Sequence, residues 1–369
     1  MKIVRNLIRI LVGIVFVFSG FVKGIDPLGT VYRMEDYFQA FNILWANPAS
    51  LYLTIFLCVL EFSIGISLLF NLWIRKTAWV LLPMMIYFTV LTFFDAFYNI
   101  VPDCGCFGDA LKLTNLNTFL KNLVLMALVI PIFVWRKKYK SPFPPAPEIL
   151  SYFIIALAFA YVSVYCYRHL PMIDFMDWKI GNQINKVSTL PVQFYVTYKN
   201  NKTGEEKEFL APDYPWNDSA WLSEWTFKSQ RVVDPNHNKV ATLKVEDQDG
   251  NDLTSMILHN PDYQFLIVAW DLKKCSVDGF IRILPFYKKV INDGYTFICL
   301  TSTLPSEAKV FRKAHGAAFS FYNADDVILK TMVRSNPGLI LLKNGKVLAK
   351  WGYRDFPSYE EVKKRYMQP

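Results

Sequence analysis

The sequence predicts a membrane-spanning α-helical bundle followed by an α/β domain, with four helices in the bundle and a fifth leading into the second half. Three observations carry this prediction. Of the 369 residues, 53% are hydrophobic and 16% aromatic, and the excess lies in the first 170. That load is high for a soluble protein. Loops between the apolar stretches differ sharply in positive charge. The last ~120 residues alternate strand-like with helix-like segments. The expected division is residues 1–140, a four-helix part; 141–170, a proline-rich link and fifth helix; 171–250, a small β-rich region; and 251–369, the α/β domain.

The opening Met-Lys-Ile-Val-Arg and its apolar run resemble a signal peptide. Lys23-Gly24-Ile25-Asp26-Pro27 follows where a small-residue cleavage site belongs, so the segment reads as a retained helix. The expected spans are residues 7–22, 51–70, 78–98, 118–135 and 149–167, each near the ~20 residues a bilayer core requires. One set of loops holds Lys2, Arg5, Arg9, Arg75, Lys76, Arg136, Lys137, Lys138 and Lys140; the other holds Lys23, Arg33 and Lys112. Positive loops stay in the cytoplasm. The N-terminus is therefore expected inside, with the 99–114 loop and the C-terminal half outside. The net charge of +9 follows from this flanking pattern, and no nucleic-acid motif accompanies it.

Ser141-Pro-Phe-Pro-Pro-Ala-Pro147 reads as a cytoplasmic link to the fifth helix. Beyond residue 170, segments 191–198 and 206–211 read as a hairpin around Asn200-Asn-Lys-Thr-Gly204. The aromatic stretch 214–221 is expected to pack. In the α/β domain, 264–270 and 295–301 read as strands, with helices at 279–292, 306–313 and 358–366. A hairpin over 338–342 and 346–351 turns at Asn344-Gly345.

The run Asp103-Cys104-Gly105-Cys106-Phe107-Gly108-Asp109 lies just beyond the third span. Two thiols this close form a natural two-electron device. Gly105 allows the backbone to fold back, and a ring this small departs from relaxed disulfide geometry and is easier to reduce. A disulfide without traffic is the plainer alternative, and an oxidising compartment suits either. A metal site has too few ligands, since His169, His237, His259 and His315 show no metal-site spacing. Asp103 and Asp109 beside the pair are expected to raise both thiol pKa values. Cys58 and Cys166 fall inside spans and Cys299 inside a strand, as packing residues.

Glu61 sits mid-span and Asp95 near an outer end. A carboxylate in the bilayer costs at least ~2.5 kcal/mol, so it faces a partner or a cavity. The readings are proton handling beside the thiols, contact with a quinone headgroup, or a bond between helices; the last is favoured for Asp95. Lys23 and Asp26 are placed to pair with each other.

The residues from Arg9 to Pro27, with Glu61-Phe-Ser-Ile-Gly65, resemble DoxX-like membrane proteins. Cys104-Gly-Cys-Phe-Gly-Asp109 is similar to the hallmark of the MauE/DoxX group of redox-associated membrane proteins. The likeness covers about residues 1–140 and implies a four-helix membrane bundle with Cys104 and Cys106 as its redox pair. MauE-type proteins are associated with methylamine utilisation and with disulfide formation in a periplasmic enzyme. The last domain resembles thioredoxin-like proteins. Ser335-Asn-Pro-Gly-Leu-Ile-Leu-Leu-Lys-Asn-Gly345 is similar to the stretch bearing their cis-proline, here Pro337. Cys275 stands near their active-site position, but Cys275-Ser-Val-Asp278 lacks the second cysteine. A lone cysteine stops at a mixed disulfide, so a binding role is expected of that domain.

The function expected is thiol–disulfide exchange at the outer face of a bacterial inner membrane, through Cys104 and Cys106. The lipid bilayer and a periplasmic thiol or disulfide protein are the partners, and no nucleic acid is. The alternatives are a membrane-anchored scaffold, or a quinone-linked oxidoreductase subunit with quinone as cofactor near Glu61.

Overall fold

The computed structural model describes residues 2–184, 193–211, 213–215, 217–233 and 243–367. Among these, five helices are long and apolar enough to cross a membrane: Lys2–Ile25, Leu44–Phe70, Ile74–Tyr98, Asn115–Val134 and Pro145–Arg168. All five expected spans are present, several with longer ends. The polar flanks extend them, because helical hydrogen bonding continues past the apolar stretch that hydropathy detects.

Helix α1 (Lys2–Ile25) ends where Asp26 caps the next helix, accepting from the Gly29 N–H at 3.1 Å. Pro27 opens α2 (Pro27–Ala40), its missing N–H being one the first turn does not use. Helix α2 has no counterpart among the expected elements. Its composition is mixed and it is too short to span, so hydropathy passes over it. A 3₁₀ segment (Leu44–Ala49) leads into α3 (Ser50–Phe70), followed by α4 (Ile74–Tyr98), α5 (Asn115–Val134) and α6 (Pro145–Arg168). Helix α6 begins inside the stretch read as a proline-rich link, since prolines in a first turn start a helix rather than break it.

Helix α1 packs on α3 and α4 on α5. Lipid gives apolar helices little reason to associate by hydrophobicity, so close backbone approach and packing decide their contacts. Glycines supply that approach. A Cβ on Gly65 would stand 2.4 Å from the Val17 N, and one on Gly20 2.5 Å from the Phe62 N. At one end of the bundle, Arg9 donates to the Leu68 carbonyl, and the Tyr139 hydroxyl reaches the Arg5 carbonyl at 3.2 Å. At the other end, α2 and the 99–114 loop meet the C-terminal domain.

A three-stranded antiparallel sheet comes first after the bundle. Strands β1 (Gln193–Asn200) and β2 (Glu206–Leu210) form the expected hairpin, with Gly204 at φ +73° in its turn. Residues 191 and 192 of the expected strand lie outside the described residues, as do Trp216 and His237. A short helix α7 (Ser219–Glu224) and strand β3 (Trp225–Val233) complete this part. The aromatic stretch packs as expected, Trp221 lying 4.9 Å from Tyr198 and stacking on Trp225.

The next elements are β4 (Val245–Glu246), α8 (Thr254–Leu258), β5 (Tyr263–Val268), α9 (Val277–Arg282), α10 (Leu284–Asn292), β6 (Thr296–Thr301) and α11 (Pro305–Ala314). They continue with β7 (Ser320–Ala324), α12 (Asp326–Met332), β8 (Gly338–Lys343), β9 (Lys346–Gly352) and α13 (Tyr359–Tyr366). The six-stranded sheet runs β4-β7-β6-β5-β8-β9, with β6 and β7 parallel to β5 and with β8 and β9 added antiparallel. Apolar layers cover both faces, one around Phe265, Phe280 and Phe297, the other around Leu266, Leu329 and Trp178. The helix expected over 279–292 is two, divided at Ile283 with Pro285 in the first turn of the second. Strand β7 and helix α12 were not expected; each is too short to show a period of its own.

Replacing Gly65 with valine should destabilise the α1–α3 contact by about 1–3 kcal/mol. The check is the thermal midpoint of the detergent-solubilised protein. An unchanged midpoint would contradict the close approach.

Candidate functional site

The loop between α4 and α5 is built by its own polar groups. Asp103 Oδ1 accepts from the Gly105 N–H at 2.9 Å, and the Gly108 N–H donates to the Gly105 carbonyl at 2.9 Å. Gly105 adopts φ +62°, a conformation that favours glycine, and a Cβ there would stand 3.0 Å from Arg33 Cγ, a tight approach that the arginine would have to relieve. Phe107 anchors the loop in the bundle, its ring edge-on to Phe18 at 5.4 Å and beneath the Lys121 ammonium at 4.2 Å. This fold-back leaves the Cys104 and Cys106 sulfurs 3.0 Å apart as a dithiol.

Both cysteines line a cavity of about 340 Å³ enclosed by α1 to α5. Glu61 and Lys23, both buried, line it too and pair at 2.5 Å. Ser19 Oγ lies 2.9 Å from Glu61 Oε2 and 2.9 Å from the Cys106 carbonyl, so its one O–H stands within donating distance of either the carboxylate or the cysteine loop. Asp95 stands one step behind the wall, accepting from the Tyr37 hydroxyl at 2.5 Å. The structure thus brings Cys104, Cys106 and Glu61 to one space and keeps Asp95 behind Tyr37, as a bond between α2 and α4.

Lys23 and Asp26 do not pair with each other. Lys23 turns into the bundle toward Glu61, while Asp26 faces the C-terminal domain. There Arg334, in the loop after α12, places its Nε 2.9 Å from Asp26 and its Nη2 2.7 Å from Asp109. Its remaining Nη1 donates to the Lys330 carbonyl at 2.7 Å. A Cβ on Gly29 would stand 2.9 Å from Arg334 Nη2, so that glycine floors the cradle. Tyr32 lies under the guanidinium at 5.5 Å and edge-on to Trp270 at 6.2 Å. Arg334 went unread in the sequence; its only signal was a lone arginine before Ser335-Asn336-Pro337.

The carboxylates expected to raise both thiol pKa values are engaged elsewhere. Asp103 lies 3.3 Å from Arg33, and Asp109 is held by Arg334. The two sulfurs move apart instead. The hydrogen bond from Cys104 lowers Cys106 to about 7, against the penalty of burial and with help from Lys121 and Lys23. The same bond, with burial, raises Cys104. One thiol acting as donor to the other favours charge on the acceptor.

Cys275 and Pro337 lie apart from this cavity. The Asn336–Pro337 peptide is cis, and the Ser276 N–H donates to the Asn336 carbonyl at 2.9 Å, joining the Cys275 turn to the proline loop. Cys275 itself is buried in the domain core, and burial pushes its thiol up to about 12. It stays protonated at neutral pH and behaves as a packing residue.

Two outcomes are expected. Alkylation of Cys106 should rise with pH through about 7, where its thiolate forms, and not through the ordinary value of 9.0; rates for a Cys104→Ala variant should shift toward the higher value, since the donor is lost. Changing Arg334 to glutamine strands two buried carboxylates and should cost about 3–5 kcal/mol of docking. Hydrogen exchange across residues 26–33 should then accelerate, and unchanged protection would count against the cradle.

No curated protein and no solved structure matches this chain. The five apolar helices and the family match together point to a multi-pass membrane protein. Residues 1–135, which hold α1 to α5 and the cysteine loop, match the family model described as Methylamine utilisation protein MauE, and this part of the chain is similar to that family.

Proposed function

We propose that the chain carries out thiol–disulfide exchange at the outer face of a bacterial inner membrane, with Cys104 and Cys106 as the reacting pair. The single observation that carries this reading is the geometry of the loop: two sulfurs 3.0 Å apart, one of them lowered toward neutrality by the other. Exchange runs through a mixed disulfide. A client thiolate attacks one sulfur of the oxidised pair, and the client's second thiolate resolves the link, leaving the client oxidised and the pair reduced. Reversal of the same steps would reduce a client.

The excess of basic residues around the opposite end of the bundle supports an orientation with the cysteine loop outside. Arg334 meets the loop's Asp109, so the C-terminal domain would share that compartment. The strand order with two antiparallel strands beyond β5, together with cis Pro337, supports a thioredoxin-like reading of residues 251–369. With Cys275 buried and unaccompanied, that domain would bind a partner and leave the chemistry to the bundle. Residues 1–140 would form the catalytic part, 141–170 the connecting helix, and 171–250 a small accessory region. The family's link to methylamine utilisation does not identify the client.

Thiol trapping in intact cells tests this. In a Cys104→Ser variant the remaining Cys106, the sulfur lowered to about 7, should capture a client as a mixed disulfide that reductant releases. A pair that never changes state between oxidising and reducing growth would sink the proposal and leave a membrane-anchored binding protein.

A further inference from the structure

A second cavity, of about 460 Å³, lies where the bundle meets the C-terminal domain. Its place relative to the bilayer follows from two helix ends. Leu170 lines it just after α6 ends at Arg168, and Arg334 lines it while bound to Asp26, the residue that follows α1. Both helices have 24 residues. That length gives a rise of about 36 Å, against ~30 Å of hydrocarbon. Their ends therefore stand in the headgroup layer, and the cavity stands there with them.

The lining divides by chemistry. Met172, Ile173 and Ile180 are apolar and 58%, 45% and 59% exposed. Single exposed apolar side chains are ordinary; three on one short segment beside a membrane helix form a surface suited to lipid. The rest of the lining is polar and carries cations. Lys350 is buried, and among the described residues its Nζ makes one hydrogen bond, to Asp174 at 2.6 Å. An ammonium has three N–H donors, so two are left for a ligand. Burial pushes the Lys350 ammonium down, against the pull of Asp174; an anion in the cavity would oppose that shift. Asp174 lines the cavity too, its charge offset by Lys350. Arg334 is committed to Asp26 and Asp109. Lys179, exposed and without an ion pair among the described residues, supplies positive charge with no carboxylate to match it.

We infer that this cavity holds an anionic phospholipid, its phosphate at Lys179 and Lys350 and an acyl chain along Met172 and Ile173. The inference is independent of the thiol chemistry and stands or falls without it. A zwitterionic lipid brings an ammonium that Lys179 repels. Free phosphate would use the cations and leave the apolar lining in water. An anionic lipid uses both, and the cavity is large enough for a glycerophosphate headgroup with the first carbons of a chain.

The test uses the full-length protein in a mild detergent, stripped of co-purified lipid. Phosphatidylglycerol with a photoreactive group on its acyl chain is titrated in, and label on residues 170–180 is measured by peptide mass spectrometry. That label should saturate, and unlabelled phosphatidylglycerol should compete. Lys179→Glu changes an exposed side chain that the fold does not need, and should raise the half-saturating concentration about tenfold or more. Lys350→Gln should weaken labelling too; if that variant fails to fold, Lys179→Glu decides. Lys137→Glu, at the other end of the bundle, should change nothing in this segment. Phosphatidylethanolamine should compete poorly, and equal competition overturns the anionic site. Inorganic phosphate should not compete; if it displaces the label, the site is one for free phosphate and the lipid assignment fails. Label that neither saturates nor responds to Lys179→Glu overturns the site altogether.

Discussion

The arrangement depends on one buried contact, the Arg334 guanidinium held between Asp26 and Asp109. Each carboxylate comes from a different part of the bundle: Asp26 from the corner between α1 and α2, Asp109 from the end of the cysteine loop. Two carboxylates this close repel one another and resist burial, so neither would settle there without a cation between them. The cation is supplied by the C-terminal domain. The same contact therefore joins two halves of the chain and fixes one end of the loop that carries the thiols. Arginine suits the task because its planar fork addresses two acceptors at once, which a lysine ammonium does with less geometric definition.

From that contact the loop's chemistry follows. With Asp109 held by Arg334 and Asp103 turned to its own backbone and to Arg33, the negative charges that flank the cysteines in sequence do not dominate their surroundings in space. The hydrogen bond between the two thiols and their burial do, with Lys121 and Lys23 adding to the first at Cys106. The two thiols then differ, Cys104 as donor with its thiol raised and Cys106 as acceptor lowered to about 7. Ser19 stands between Glu61 and the cysteine loop, its hydroxyl 2.9 Å from an acceptor on each, so the membrane carboxylate and the loop meet at a single cavity.

Much of the membrane part is legible in the residues. Five apolar stretches announce five helices, and Cys104-Gly-Cys is visible as a pair whatever the fold. Helix α2 is not, because its polar and apolar residues mix and it is too short to span; the Asp26–Pro27 start signal was its only mark. Strand β7 and helix α12 escape for a related reason, since five and seven residues show no reliable period. The split between α9 and α10 did have a mark in the residues: Pro285 falls in the interior of the expected helix, where it lacks an N–H and clashes with the preceding turn, and it sits in the first turn of α10 instead.

Ion pairing is where sequence proximity misleads. Lys23 and Asp26 lie three residues apart, yet the helix ends between them, so one side chain faces the membrane interior and the other the docked domain. Their partners, Glu61 and Arg334, are 38 and 308 residues away. Hydropathy, charge bias and the cysteine spacing are local properties, and the sequence by itself determined the helices, the loops between them and the pairing of two thiols. Which cation meets which carboxylate, which sulfur is acidified, and that Cys104, Cys106 and Glu61 share one cavity were decided only by tertiary packing. Those relations join residues on different elements, and nothing in the spacing along the chain encodes their separation in space.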